Sequence, residues 1–245
     1  HPPRERANVR YPLLLWMHGG PEGESSGLGF GEEYENGYDA GVLAAASGWY
    51  SFFPDYRGGN DFGNAHEHGA FGDPGVGPSR DVLAGLAEVE QRYPVDAKRE
   101  AIGGHSYGGF MTAWIVGHDT RFKCAVVADG AVDWREAYDL SGTGNLSWTR
   151  DSLGGTPAQI PQLYHDGSPI SYVDAMRTPT LIITGLADEV VPFTESWELY
   201  HALRDRKVPV RLVAIPTAHH TPSDPVRLEA YYRIVFAWYA AHLKP

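Results

Sequence analysis

The pentapeptide Gly104-His105-Ser106-Tyr107-Gly108 has the form G-x-S-x-G. Arg99–Ile102 before it reads as a short strand, and Met111–Val116 after it reads as a buried helix. A serine at such a strand-to-helix turn stands on a sharp bend, which strains its backbone and lifts Oγ clear of the sheet. Glycines flank it because a Cβ there would collide with neighbouring backbone. The same bend aims the Tyr107 amide N–H at an incoming carbonyl oxygen. The chemistry this suits is nucleophilic attack on an acyl carbon.

A serine hydroxyl is a weak nucleophile. It needs an imidazole to take its proton and a carboxylate to hold that imidazole. In the α/β-hydrolase arrangement the chain order is serine, acid, histidine, which directs the search downstream of Ser106. Thr180–Thr184 reads as a strand and is followed by Gly185-Leu186-Ala187-Asp188-Glu189. Asp188, in the loop leaving that strand, is the expected acid; Glu189 is the competitor and is expected to be solvated. Val210–Ile215 reads as another strand, followed by Pro216-Thr217-Ala218-His219-His220. One of these two histidines is the expected base. Their place after the last strand and before the last helix singles them out among 11 histidines. The first strand ends in His18-Gly19-Gly20-Pro21. A Gly-Gly turn lets backbone approach a substrate, so Gly20 N–H is the expected partner of Tyr107 N–H in holding an oxyanion. The His18 side chain is expected to orient the loop and not to react.

These loops need strands and helices to aim them. Leu13–Met17, Tyr50–Phe53 and Cys124–Ala128 are further continuous apolar runs, as expected of strands covered on both faces. Asp81–Tyr93 has a helical pattern with Val82, Leu86, Val89 and Tyr93 on one face. Thr194–Leu203 and Pro225–Leu243 read as two more helices, with Thr194 and Asp224 as expected N-caps. Alternating strands and helices predict a mostly parallel central sheet flanked by helices on both faces. In such sheets the chemistry gathers at the carboxyl ends of the strands, where each residue named above falls. Three long loops, Gly19–Tyr38, Asp55–Ser79 and Asp129–Thr178, are expected to carry function or small elements. Short helices are expected in the third, near Trp134–Leu140 and Pro157–Tyr164.

At 245 residues, one α/β domain is the expected count. The net charge of −11 argues against a nucleic-acid partner. No apolar run reaches the length of a membrane span. The lone cysteine, Cys124, excludes an internal disulfide and is expected to pack within a strand. No signal peptide is read, and the chain opens on His1. Compartment stays open, with a lean to the cytoplasm. No dinucleotide loop and no metal-ligand spacing is found; His66-x-His68 is expected to be solvated, so neither cofactor nor metal is expected.

The stretches Tyr11–Pro21, Asp55–Gly58, Gly103–Phe110, Ser168–Ile170, Arg177–Ile183 and Gly185–Pro192 together resemble the catalytic domain of the prolyl oligopeptidase family of serine peptidases. The resemblance is nearest the acylaminoacyl-peptidase and dipeptidyl-peptidase branches and runs over nearly the whole chain. It implies Ser106 as nucleophile, Asp188 as acid and His220, not His219, as base. It also implies Gly20 as the second oxyanion donor. Trp134, Tyr138 and Val190 resemble residues lining the family's pocket for the side chain before the scissile bond. Three departures stand out. His219 occupies a position where the family usually has glycine, and Pro74 one where it often has tryptophan. The upstream β-propeller of family peptidases is absent from residues 1–245; His1–Arg10 reads as a linker tail, and a full-length parent with a propeller is one expectation.

The expected activity is hydrolysis of amide bonds in short peptides through an acyl-serine. A carboxylesterase of dienelactone-hydrolase type, acting on small esters, shares the fold and the triad. A catalytically silent α/β-hydrolase domain used for binding is the rival from another class. Self-association is compatible with all three.

Overall fold

The computed structural model describes residues 1–2, 4–23, 38–60, 62–221 and 224–244. The described residues form a six-stranded sheet: β1 (Tyr11–Met17), β2 (Tyr50–Phe52), β3 (Val95–His105), β4 (Cys124–Ala128), β5 (Thr180–Gly185) and β6 (Val210–Ile215). Its order is β2-β1-β3-β4-β5-β6, and every pairing is parallel. The sheet is parallel because a helix returns the chain between strands, and such crossovers reach the next strand from the same end.

Alternation along β1 shows how both faces are filled. Leu13, Leu15 and Met17 join one core, and Leu14 and Trp16 join the other. The first core is closed by α3 (Val76–Arg92), α4 (Tyr107–His118) and α8 (Phe193–Asp205). The second is closed by α1 (Tyr38–Ala46) and α9 (Pro225–His242). Helix α2 (Asn64–Glu67) lies in the loop after β2; α5 (Trp134–Leu140), α6 (Thr143–Leu153) and α7 (Pro161–Asp166) lie between β4 and β5. The sheet flanked by helices on both faces is the one expected from the sequence. Register brings the carboxyl ends level: Met17 lies beside Gly104, His105 beside Ala128, and Ala128 beside Ile183.

Several local expectations shift. Helix α3 begins at Val76 and not at Asp81, because the Asp73 carboxylate accepts the Val76 and Gly77 N–H groups at 2.9 and 2.8 Å. It ends at Arg92. Tyr93 is extended and half exposed, off the buried face, because a residue before proline is pushed out of the helical region. Asp224 caps α9 through Val226 and Arg227 N–H. Thr194 caps nothing: α8 starts one residue earlier, after Pro192, and has no side-chain cap. The helix expected near Pro157–Tyr164 forms at Pro161–Asp166. Residues 24–37 of the loop expected over Gly19–Tyr38, Asp61 of the second loop, and Pro3 of the expected linker tail lie outside the described residues. The rest of that tail is tied down: Glu5 accepts the Tyr50 hydroxyl, and Arg10 donates to the Val95 carbonyl at 2.9 Å.

One charged side chain in the sheet is fully covered. Glu100 on β3 is buried beside Glu90 of α3, with the Arg121 guanidinium 3.9 Å from its carboxylate. Burial first, and Glu90 second, push its carboxyl up to about 8. The folded state thus holds a proton that an unfolded glutamate, near 4.3, gives up. That contribution to stability is complete below the unfolded value and is lost as pH rises through about 8. Glu100→Gln should therefore melt close to the parent at pH 5 and above it at pH 9. The expected gap at pH 9 is at least about 2–4 °C, the shift that about 1 kcal/mol produces in a domain of this size. Equal melting temperatures across that range would refute the assignment.

Candidate active site

The nucleophile elbow is built by backbone. Ser106 leaves β3 with φ 58° and ψ −121°, and α4 starts at the next residue. A non-glycine residue at such angles costs about 1–3 kcal/mol and persists only where its surroundings fix it. Here they do: Ser106 N–H donates to Ala128 O at 2.9 Å, and Ser106 O accepts Phe110 N–H at 3.0 Å. The flanking glycines allow the elbow to press against β1. A Cβ on Gly108 would stand 2.2 Å from Met17 O, and one on Gly104 2.5 Å from Gly108 backbone.

The expected acid and base, Asp188 and His220, arrive on neighbouring loops. Ala187 N–H donates to Ala218 O at 2.9 Å and Leu186 N–H to Ile215 O at 3.1 Å, so the two loops are joined by backbone. Gly185 permits this closeness, since a Cβ there would sit 2.4 Å from Ala218 O. His220 Nδ1 lies 2.7 Å from Asp188 Oδ2, and His220 Nε2 lies 2.8 Å from Ser106 Oγ. The Asp188 side chain is fully covered and that of His220 is 14% exposed. Asp188 Oδ1 accepts Val190 and Val191 N–H at 2.8 and 2.9 Å, which fixes the carboxylate plane. Glu189 and His219 are both exposed. The sequence left two histidines; the fold brings His220 to Ser106.

Gly20, Ser106 and Tyr107 line one cavity of about 150 Å3. Tyr107 is the first residue of α4, so its N–H has no partner within the helix. Gly20 holds φ 111°, and a Cβ there would stand 2.3 Å from Glu22 N. The turn around Gly20 is held from behind. The Tyr56 ring stacks on His18 at 4.3 Å, and Tyr56 OH donates to His18 O at 2.7 Å. His18 Nδ1 donates to Gly19 O at 2.8 Å. The next residue, Arg57, makes a bidentate pair with Asp81 at 2.7 and 2.8 Å, and its guanidinium holds the Asp81 carboxyl below the usual range. Asp55–Gly58 entered the reading only through the resemblance; in the fold Tyr56 and Arg57 brace the His18–Gly20 turn.

Trp134 and Val190 lie in the cavity wall with Ala131, Ala137, Trp148 and Val191. Trp134 is clamped: its backbone N–H donates to Ser168 Oγ at 2.8 Å and its Nε1 to Gly167 O at 3.1 Å. Tyr138 does not join that wall. It follows Trp134 by four residues on α5, but its ring turns edge-on to Tyr164, 6.0 Å away. The sequence missed Trp148, whose Nε1 donates to Glu22 Oε1 at 3.1 Å from across 126 positions of chain. Only the fold of the long third loop puts it there.

Other residues singled out in the sequence fall elsewhere. His66 is half buried and donates Nε2–H to Tyr56 O at 3.0 Å, so it is not simply solvated; His68 is exposed against Phe71. Among the described residues no cluster of three histidine, cysteine, aspartate or glutamate side chains is arranged to hold a metal ion. Cys124 is buried in β4, and burial pushes its thiol far up. No helix among the described residues is long and apolar enough to cross a membrane.

A parallel sheet with a serine elbow after one strand, and an acid and a histidine on later strand-end loops, defines the α/β-hydrolase fold. The chain belongs to the prolyl oligopeptidase family, whose model matches residues 39–245. It is 30% identical to the uncharacterized peptidase YuxL of Bacillus subtilis over 246 residues, covering 99% of this chain and 36% of that protein. It is 28% identical to the acylamino-acid-releasing enzyme of Mus musculus over 277 residues, again 99% of this chain and 36% of that one. The acylaminoacyl peptidase of Pyrococcus horikoshii superposes with a TM-score of 0.89 at 26% identity, over 99% of this chain and 39% of that chain. An acylaminoacyl peptidase in complex with Z-Gly-Gly-Phe-chloromethyl ketone gives the same values. The chain thus spans little more than a third of the length of the curated relatives it matches.

The elbow geometry carries its own test. Gly108→Ala should lower stability by about 1–3 kcal/mol through overpacking against β1. Urea unfolding measures it, and a variant as stable as the parent would mean that β1 and α4 have room to separate.

Proposed function

We propose that the chain is the catalytic domain of a serine peptidase that cleaves amide bonds of short peptides. The observation that carries this is the unbroken line Ser106 Oγ, His220 Nε2, His220 Nδ1, Asp188 Oδ2, with steps of 2.8 and 2.7 Å. Ser106 Oγ attacks the acyl carbon while His220 takes its proton. Asp188 keeps the proton on Nδ1 and stabilises the imidazolium. Negative charge gathers on the former carbonyl oxygen, for which Gly20 and Tyr107 N–H are the donors. The C–N bond then breaks, and His220 gives its proton to the leaving amine. Water, deprotonated by His220, attacks the acyl-serine and releases the acid.

Among the described residues the cavity wall, formed by Trp134, Trp148, Val190, Val191, Ala131 and Ala137, has no charged side chain. It suits an apolar or aromatic side chain before the scissile bond, because burying apolar surface there removes it from water. The relative solved with a peptide chloromethyl ketone ending in Phe supports the same preference.

The test is hydrolysis of a blocked dipeptide anilide ending in Phe, beside a short-chain nitrophenyl ester. Ser106→Ala should lower turnover of both by at least about 1,000-fold, the weight a triad carries. His220→Ala should be comparably damaging, and His219→Ala close to neutral. Near-normal turnover in Ser106→Ala would end the reading. Cleavage of the ester alone would move the assignment to an esterase, and no cleavage of either to a binding domain.

A further inference from the structure

Two polar side chains lie buried under the triad and take no part in the proton transfers above. His105, the residue before the nucleophile, is fully covered, and Asp129, just after β4, is 4% exposed. His105 Nε2 lies 2.7 Å from the carbonyl oxygen of His220. A carbonyl can only accept, so this nitrogen donates to it. The two imidazole rings are 4.8 Å apart between centroids. Asp129 Oδ1 accepts the Gly185 N–H at 2.9 Å, and Oδ2 lies 3.6 Å from the same His105 nitrogen.

The placement is costly, which argues for a role. Asp129 is a non-glycine residue at φ 44°, and Thr217 in the base loop is another at φ 59°. Burial pushes the Asp129 carboxyl up, against the pull of His105. Backbone strain gathered at one place marks a functional constraint. What the two side chains join is specific. The carbonyl before Asp129 receives the Ser106 N–H. The Asp129 carboxylate holds the turn that leads to Asp188. The His105 imidazole holds the backbone of the base itself. Between them they connect the loops of nucleophile, acid and base.

Building on the triad reading above, we propose that His105 and Asp129 are a positioning pair. They hold the His220 backbone and the Gly185 turn so that Nε2 stays on Ser106 Oγ and Nδ1 on Asp188. Neither touches the substrate. A base displaced by an ångström would still sit in a folded protein but would meet the serine poorly, which lowers kcat and leaves substrate binding alone.

The experiment compares His105→Phe with His105→Gln. Phe keeps the ring and removes the donor; Gln places an amide N–H close to where Nε2–H stood. His105→Phe should lose about 10–100-fold in kcat on the dipeptide anilide, with KM changed by no more than about threefold. His105→Gln should regain most of that loss. Proton NMR gives a readout independent of turnover, through the downfield resonance of the proton between His220 Nδ1 and Asp188. It should persist in the parent and in His105→Gln and disappear or shift in His105→Phe. Unchanged kcat and an unchanged resonance in His105→Phe would overturn the proposal. Equal losses in Phe and Gln would overturn it too, since packing and not the donor would then matter. Should His105→Phe fail to fold, Asp129→Asn and Asp129→Ala decide in its place. Asn keeps an acceptor for Gly185 N–H and should keep the resonance, whereas Ala should lose it. A parent chain with the resonance but without peptidase activity would sink the functional reading and still leave the pair to be judged by that proton.

Discussion

The left-handed backbone of Ser106 is the constraint on which the site depends. At φ 58° and ψ −121° the residue is strained, and no local preference of serine would keep it there. It is held by pressure and by hydrogen bonds: β1 against Gly104 and Gly108 on one side, Ala128 O on its own N–H on another. The bent chain exposes Oγ, starts α4 and turns the Tyr107 N–H outward in one stroke. A looser elbow would lose all three together.

From that fixed point the rest of the site is a matter of bringing loops to it. Parallel strands end level, so the loops after β1, β3, β5 and β6 open on the same edge. Glycine appears where two of those loops must touch, at Gly185 against Ala218, and where the first loop turns too tightly for a Cβ, at Gly20 against Glu22 N. Side chains then lock what the backbone allows. Tyr56 and Arg57 brace the first loop, Ser168 clamps Trp134, and Asp188 holds Val190 and Val191 as well as His220. Several of these supports also shape the pocket, so the acid loop is at once part of the charge line and part of its wall.

Much of this was legible from residue types and order. The apolar runs of β1, β4 and β5 could only be strands covered on both faces, and G-x-S-x-G between strand and helix left little choice for Ser106. The misplacements were local and have local causes. Tyr93 left its helix because Pro94 follows it, and Asp73 started α3 early by capping Val76 and Gly77. Tyr138, named for the pocket only by the resemblance, follows Trp134 on α5 with its ring edge-on to Tyr164 of α7.

The sequence by itself determined the alternation of strands and helices, the elbow, and a short list of acids and histidines after it. Those follow from periodicity and from chain order, which are local properties. It could not choose His220 over His219 without the family resemblance, nor find Trp148, nor give His105 and Asp129 a purpose. Each of these depends on which groups meet across more than fifty residues of chain. The Asp129 carboxylate receives a hydrogen bond from Gly185, and Trp148 gives one to Glu22, through loops whose paths are set by packing and not by propensity. Only the closed tertiary structure fixes such distances, because a hydrogen bond is made or lost within a few tenths of an ångström.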